Sequence, residues 1–186
     1  AQYRVFQLAK EHGMTVTLDG QGADELLAGY HGYPGQRLLS LFEGGHYAEM
    51  QRFARNWGDW PGRSYGRAWM WLGRTVLPEG VYASARKALG RDFRPDWLKL
   101  DLLRDEGVSL REERPLLQGT ARERRVNEQL AYALQRRGLP TLLRHGDRNS
   151  MAFSIESRVP FLTIGMADLL LSLPESYLIA DTGETK

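Results

Sequence analysis

The chain has 186 residues, of which 42% are hydrophobic, 26% charged and 10% aromatic, and its 25 basic and 23 acidic side chains leave a net charge of +2. That supports one core of its own and excludes collagen, a coiled coil and a disordered tail. No apolar run approaches the roughly 20 residues of a membrane span, and the absence of cysteine excludes disulfide and thiolate chemistry while agreeing with a reducing cytoplasm.

In chain order, Gln2 to His12 carries Tyr3, Val5, Phe6 and Ala9 at helical spacing, with Gly13 placed to close the helix in a left-handed cap. Met14 to Leu18 is short and β-branched between Gly13 and Gly20, which predicts a buried strand. The loop Asp19-Gly20-Gln21-Gly22 follows, and Ala23 to Ala28 returns to a helical composition. Helix, strand, glycine loop, helix is half of an α/β unit with the loop at the carboxyl end of the strand, where open α/β sheets bind ligands.

From Pro34 to about Gln135 the signals are helical. Leu38, Leu39, Leu41 and Phe42 form one apolar patch, Tyr47, Met50, Phe53, Ala54 and Trp57 a second, and Trp69, Met70, Leu72 and Val76 a third. Loops are predicted at Gly58 to Gly62 and Gly90 to Pro95. Ala121 to Gln135 alternates Arg122, Glu123, Arg124, Arg125 and Glu128 with Val126, Leu130, Ala131 and Leu134, which reads as a solvated face over a buried stripe. Pro140 suits a helix start, and a dense polar cluster follows at His145, Asp147, Arg148, Asn149 and Ser150, read as a hydrogen-bonded elbow between helices or as a pocket wall. A helix is predicted over 164–172, ended by Pro174.

The chemistry concentrates in Asp19 to Glu25. Two glycines let a backbone approach a ligand and turn N–H groups toward an anion. Asp24 and Glu25 repel naked phosphate, so phosphate here calls for a bridging Mg²⁺; the alternative is that both merely complement the helix dipole. The loop is not a Walker A loop, since no Gly-Lys-Ser/Thr follows. The four histidines, His12, His31, His46 and His145, lack metal-ligand spacing.

Taken whole, the run from Thr17 to Tyr30, Thr-Leu-Asp-Gly-Gln-Gly-Ala-Asp-Glu-Leu-Leu-Ala-Gly-Tyr, resembles the second nucleotide-site motif of glutamine-dependent asparagine synthetases. Asp147-Arg148-Asn149-Ser150-Met151 followed by Glu156-Ser157-Arg158-Val159-Pro160-Phe161-Leu162 resembles that family's other strong signature, in the same order, and Gly183 to Lys186 resembles the start of its lysine-bearing segment. The resemblance covers both ends of the chain; the helical middle adds little identity.

The resemblance implies an α/β, mostly helical fold, part of an adenine-nucleotide α-hydrolase-like (PP-loop ATPase) synthetase domain. It implies an ATP-dependent ligase that adenylates the side-chain carboxylate of aspartate and lets ammonia, delivered from glutamine by an N-terminal glutaminase domain, displace AMP. ATP and aspartate would be substrates and Mg²⁺ a cofactor, and a homodimer is allowed, with no nucleic-acid or membrane partner. By position, Asp19, Gly20, Gln21 and Gly22 match nucleotide-contacting residues, Asp24 the carboxylate holding Mg²⁺, and Lys186 the lysine that meets charge on the transferring phosphate. Gln21 stands at a catalytic position, and Glu25, Tyr30, Asp147, Arg148, Ser150, Glu156 and Arg158 would shape the pocket.

Three departures stand out: Asp19 where many members have serine, Gln21 where many have glutamate, and Thr163 where aspartate is usual after the Pro-Phe-Leu stretch. A neutral amide at position 21 cannot act as a base, which leaves room for a relative that amidates or cyclises another carboxylate. The family's Ser-Gly-Gly-x-Asp-Ser pyrophosphate loop and its cysteine-headed glutaminase domain do not occur in these residues. Without an initial methionine and ending abruptly at Lys186, residues 1–186 read as part of a longer synthetase domain, inactive by themselves. A reading of a different class, an arginine-rich nucleic-acid-binding module, rests on Arg122, Arg124, Arg125, Arg136 and Arg137 with Tyr132, and is opposed by Glu123, Glu128 and the small net charge.

Overall fold

The computed structural model describes residues 1–30, 32–77, 81, 84, 88, 97–107 and 123–185. Among these the chain is mostly helical with one small parallel sheet. The elements in order are α1 (Gln2–Glu11), β1 (Val16–Leu18), α2 (Ala23–Leu27), α3 (Tyr33–Glu43), α4 (Tyr47–Gly58), α5 (Tyr65–Val76), α6 (Leu100–Asp105), α7 (Arg125–Gln135), α8 (Leu139–Met151), β2 (Glu156–Arg158), α9 (Ile164–Ser172) and α10 (Glu175–Leu178).

The core lies among α3, α4, α5 and α7. Leu38, Leu39 and Leu41 of α3 meet Met50, Phe53, Ala54 and Trp57 of α4, Ala68 and Leu72 of α5, and Val126 and Leu130 of α7. The three apolar patches therefore form one cluster, with Leu178 and Ile179 closing it from the C-terminal side. Tyr47 and Val76, read as part of those patches, are exposed; they are the first residue of α4 and the last of α5, and Tyr47 meets α3 only at the ring of Phe42, 6.1 Å between centroids. Ser64 caps α5 by accepting from the Arg67 N–H, and Thr163 caps α9 by accepting from the Met166 N–H at 3.3 Å. The departure from aspartate at 163 thus keeps a side chain able to cap.

Four expectations are corrected. On α1 only Phe6 is buried; Tyr3 and Val5 are exposed because, among the described residues, the helix packs chiefly on α8, and the Tyr3 ring meets the Phe153 ring edge-on with centroids 4.7 Å apart. β1 is not a buried strand: Leu18 is 76% exposed and Val16 41%, and among the described residues β2 is its one sheet partner. The polar cluster from His145 to Ser150 is not an elbow but the last turns of α8, where the Ser150 hydroxyl donates to the Asp147 carbonyl at 3.0 Å. The polar residues of α7 do not form a solvated face, because Asn127 and Glu128 are buried. Of that stretch, 121–122 lie outside the described residues, as do His31 and the predicted loop 90–95.

The inward polar groups meet at Glu175, which is 3% exposed. One carboxylate oxygen accepts from the Ser40 hydroxyl at 2.9 Å and the Val126 N–H at 2.6 Å, and the other from Arg37 at 3.3 Å. Ser40 in turn accepts from the Arg125 N–H at 2.9 Å. Two free N–H groups at the start of α7 are thus capped by side chains of other helices, since Arg124 at the N-cap supplies no cap of its own. Burial pushes the Glu175 carboxyl above the usual carboxylate range, outweighing the donors that pull it down.

Glu175→Ala should cost roughly 3–5 kcal/mol by stranding Arg37 and the α7 amides, measured by urea denaturation. A raised carboxyl pKa favours the folded state while protonated, so this group's contribution is complete below its unfolded pKa and lost as pH rises through the folded value. Glu175→Gln should therefore lose less stability than the parent between about pH 4 and neutrality, the unfolded carboxyl titrating near the lower end.

Candidate functional site

β1 and β2 pair in parallel with Val16 opposite Glu156, Thr17 opposite Ser157 and Leu18 opposite Arg158. The ladder is flanked by the Glu156 N–H donating to Thr15 at 2.9 Å and the Asp19 N–H donating to the Arg158 carbonyl at 2.7 Å. Both strands therefore end at the same edge, and the segments that leave them, 19–22 and 159–162, emerge side by side. This pairing brings together two clusters more than a hundred residues apart in sequence.

The glycine loop is shaped by contacts with the second cluster. Gly22 takes φ +91°, left-handed backbone that favours glycine, and its Cα lies so close to the Leu162 side chain that an added Cβ would collide with it. Gln21 lies over Gly146 of α8: its amide nitrogen is 3.3 Å from where a Cβ on that glycine would sit. The same amide donates to Asp19 Oδ2 at 3.0 Å. Gln21 is thus packed on the second motif and holds the carboxylate of the first.

α2 is only five residues long, so an anion would find the free N–H groups of a single turn there rather than a full helix dipole. Its two acidic residues have different surroundings. Asp24 is exposed, folds back against Gly29, and has no hydrogen-bond donor among the described residues. Glu25 is 3% exposed and accepts from the Tyr30 hydroxyl at 2.7 Å. Burial, then the bond to Glu25, pushes the Tyr30 phenol up to about 12. Tyr33, stacked on Tyr30 at 6.3 Å, is raised further, chiefly by burial. Both phenols stay protonated donors at neutral pH.

The remaining sequence-predicted residues are not all gathered here. Ser150 is buried and bonded within α8, while Asp147 and Arg148 are exposed on that helix. Glu156 and Arg158 pair with each other at 2.8 Å on the exposed face of β2, each shifted toward its charged form by the other. Such a surface pair contributes little to stability. Lys186 lies outside the described residues, as does Arg122. Arg124 donates to the Leu171 carbonyl at 2.6 Å and Arg125 forks onto Glu43 at 2.7 and 3.0 Å, so two of the arginines read as a phosphate grip are engaged within the chain. No cluster of three His, Cys, Asp or Glu side chains among the described residues has metal-binding geometry, and none of their helices is long and apolar enough to cross a membrane.

Sequence reasoning missed Gly146 as a site-shaping residue, although a glycine beside a dense polar cluster was an available signal; Leu162 lies within the second signature.

The family model described as Asparagine synthase matches residues 1–186. No curated protein and no solved structure gives a significant match.

Tyr30→Phe should leave Glu25 buried without its donor and cost about 1–3 kcal/mol in urea denaturation; in an ultraviolet titration the parent's Tyr30 phenolate should appear only near pH 12. Gly22→Ala should cost about 1–2 kcal/mol from backbone strain alone, with a further loss from displacing Leu162.

Proposed function

The chain belongs to the asparagine synthase family, and on that premise we propose that it is part of an ATP-dependent amide ligase that makes asparagine from aspartate through a β-aspartyl-AMP intermediate, using ammonia released from glutamine. The observation that carries the reading is the parallel β1–β2 pairing, which sets the glycine loop and the 159–162 segment at one edge with Leu162 packed on Gly22. A parallel pair with a glycine loop at its carboxyl end is what an adenine-nucleotide α-hydrolase-like sheet would contribute.

In this reading a side-chain carboxylate oxygen of aspartate attacks the α-phosphorus of ATP, and pyrophosphate leaves. Ammonia then attacks the acyl carbon, forming the C–N bond while the C–O bond to AMP breaks and a proton is released. The backbone of Asp19 and Gly20 would lie along the nucleotide, and Lys186 would meet charge on the transferring phosphate, a point-charge task suited to an ammonium. Gln21 cannot take up the released proton; its amide orients Asp19, which leaves Asp19 as the negative charge of the 19–22 loop.

Asp24 fits the Mg²⁺ role because its carboxylate is exposed and lacks a donor among the described residues. With no preformed cage beside it among the described residues, the ion would be held jointly with phosphate oxygens, as Mg²⁺ commonly is. Bound there, it would neutralise charge on the departing pyrophosphate.

A second reading, amidation or cyclisation of a different carboxylate, is favoured by the Asp19–Gln21 arrangement, which redistributes charge in the loop. A pyrophosphate-release assay on the full-length protein carrying this chain separates the two. Release that requires ATP, Mg²⁺ and aspartate and falls by about a hundredfold or more in Asp24→Ala supports asparagine formation. ATP binding without aspartate-dependent release would overturn it and favour the second reading. Residues 1–186 alone, with ammonia supplied, are expected to show no turnover, because the Ser-Gly-Gly-x-Asp-Ser loop is not among them.

A further inference from the structure

Asp19 is the first residue past β1, and its N–H is tied to the Arg158 carbonyl of β2 at 2.7 Å. Its side chain is half-buried, and Oδ2 accepts from the Gln21 amide at 3.0 Å. Gln21 belongs to a layer of neutral amides over Gly146. Gln2 Nε2 lies 3.5 Å from where a Cβ on that glycine would sit, and Gln2 Oε1 accepts from Asn149 at 3.3 Å. Gln21 therefore orients the Asp19 carboxylate without neutralising it. Among the described residues no basic side chain pairs with Asp19.

Withdrawing a carboxylate from water without a cation is costly, so the arrangement favours a positive partner from outside the chain. The other carboxylates of the two motifs are placed differently. Glu25 is enclosed and bonded to Tyr30, Glu156 is paired with Arg158, and Asp147 stands in solvent on α8. Asp24 takes Mg²⁺ in the reading above. A second metal ion suits Asp19 poorly, because hard cations gather several oxygen ligands. Here the neighbouring Gln21 presents its donor, and no acidic cluster forms among the described residues. A nitrogen nucleophile needs only the one oxygen that Gln21 leaves free, Oδ1.

We propose that Asp19 is a catalytic residue of the amide-forming step, its Oδ1 meeting the attacking nitrogen and taking the proton released as the C–N bond forms. This rests on the reading above of an acyl-adenylate attacked by ammonia. The nitrogen lone pair attacks the acyl carbon, and the carbonyl oxygen holds the displaced electron pair. The nitrogen becomes positive and passes one proton to Asp19. The pair then returns as the C–O bond to AMP breaks, and the proton leaves Asp19 for water. Gln21 cannot take that proton, but it holds the residue that can.

The test uses the full-length protein with ammonium supplied, which bypasses glutamine hydrolysis. Aspartate-dependent exchange of pyrophosphate into ATP reports adenylation, and asparagine yield reports amide formation. Both rates are expressed per ATP-binding site, so that unfolded protein is not counted. Asp19→Asn should lower amide formation by about a hundredfold or more beyond any fall in exchange, and Asp19→Ser should show the same split. Equal losses in the two rates would overturn the proposal. So would a loss reversed by raising Mg²⁺ or aspartate, which would make Asp19 an anchor for the metal or the substrate. Absence of aspartate-dependent exchange in the parent would instead overturn the asparagine reading itself.

Discussion

The helical body depends on one buried carboxylate. Taking Glu175 out of water is costly, and three donors from α3 and α7 offset part of that cost. The offset is incomplete, as the raised pKa shows, yet the arrangement serves several helices at once. α7 begins without a capping side chain of its own, and Ser40 and Glu175 supply what it lacks. Arg37 brings the positive charge, and the first residue of α10 is tied to the middle of α3. Removing the carboxylate would leave several polar groups buried and unpaired at once, a cost comparable to truncating a large apolar side chain of the core.

From that junction α7 reaches the other elements. Arg124 donates to the Leu171 carbonyl of α9, and Asn127 to Leu171 and to Leu173 just past its end, so one helix is capped at its start by neighbours and caps another at its end. α7 also packs on α2 and α8. α2 carries Asp24 and Glu25, and α8 carries Gly146 and leads into β2, so the spacing of the two motifs depends on the helix held by Glu175. Polar side chains commonly read as solvated surface are here the joints between elements. The same logic recurs at the C-terminal turn, where Asn56, Trp60 and Arg63 take backbone carbonyls.

The site contrasts two neighbouring carboxylates. Glu25 is enclosed and tied to Tyr30, so it holds the tyrosine pair in place, whereas Asp24 is exposed and open to a cation. Adjacent residues on a helix point about 100° apart, which is how one acidic pair supplies both a structural and an exposed charge. Gln21 and Asp19 repeat the division in the loop, one packed on Gly146 and the other oriented by it.

What the sequence determined by itself is what local chemistry controls. The glycine loop at 19–22, the helix over 164–172 and the stop at Pro174 were legible, because glycine and proline act on their own backbone. Apolar periodicity likewise identified most of the core in α3, α4 and α5. Tertiary structure alone decided the rest. Glu-Ser-Arg has no intrinsic leaning toward a strand, and β2 exists because β1 offers it a ladder. Met14 to Leu18 carries the pattern of a buried strand, yet burial depends on what covers it, and Leu18 is exposed. Polar residues of α7 turn inward because partners more than forty positions away meet them, Glu43 for Arg125 and the Leu171 carbonyl for Asn127, which no local pattern encodes. The joining of the two motifs at one sheet edge is likewise a product of strand pairing, and it is that pairing that makes two separate stretches of sequence a single site.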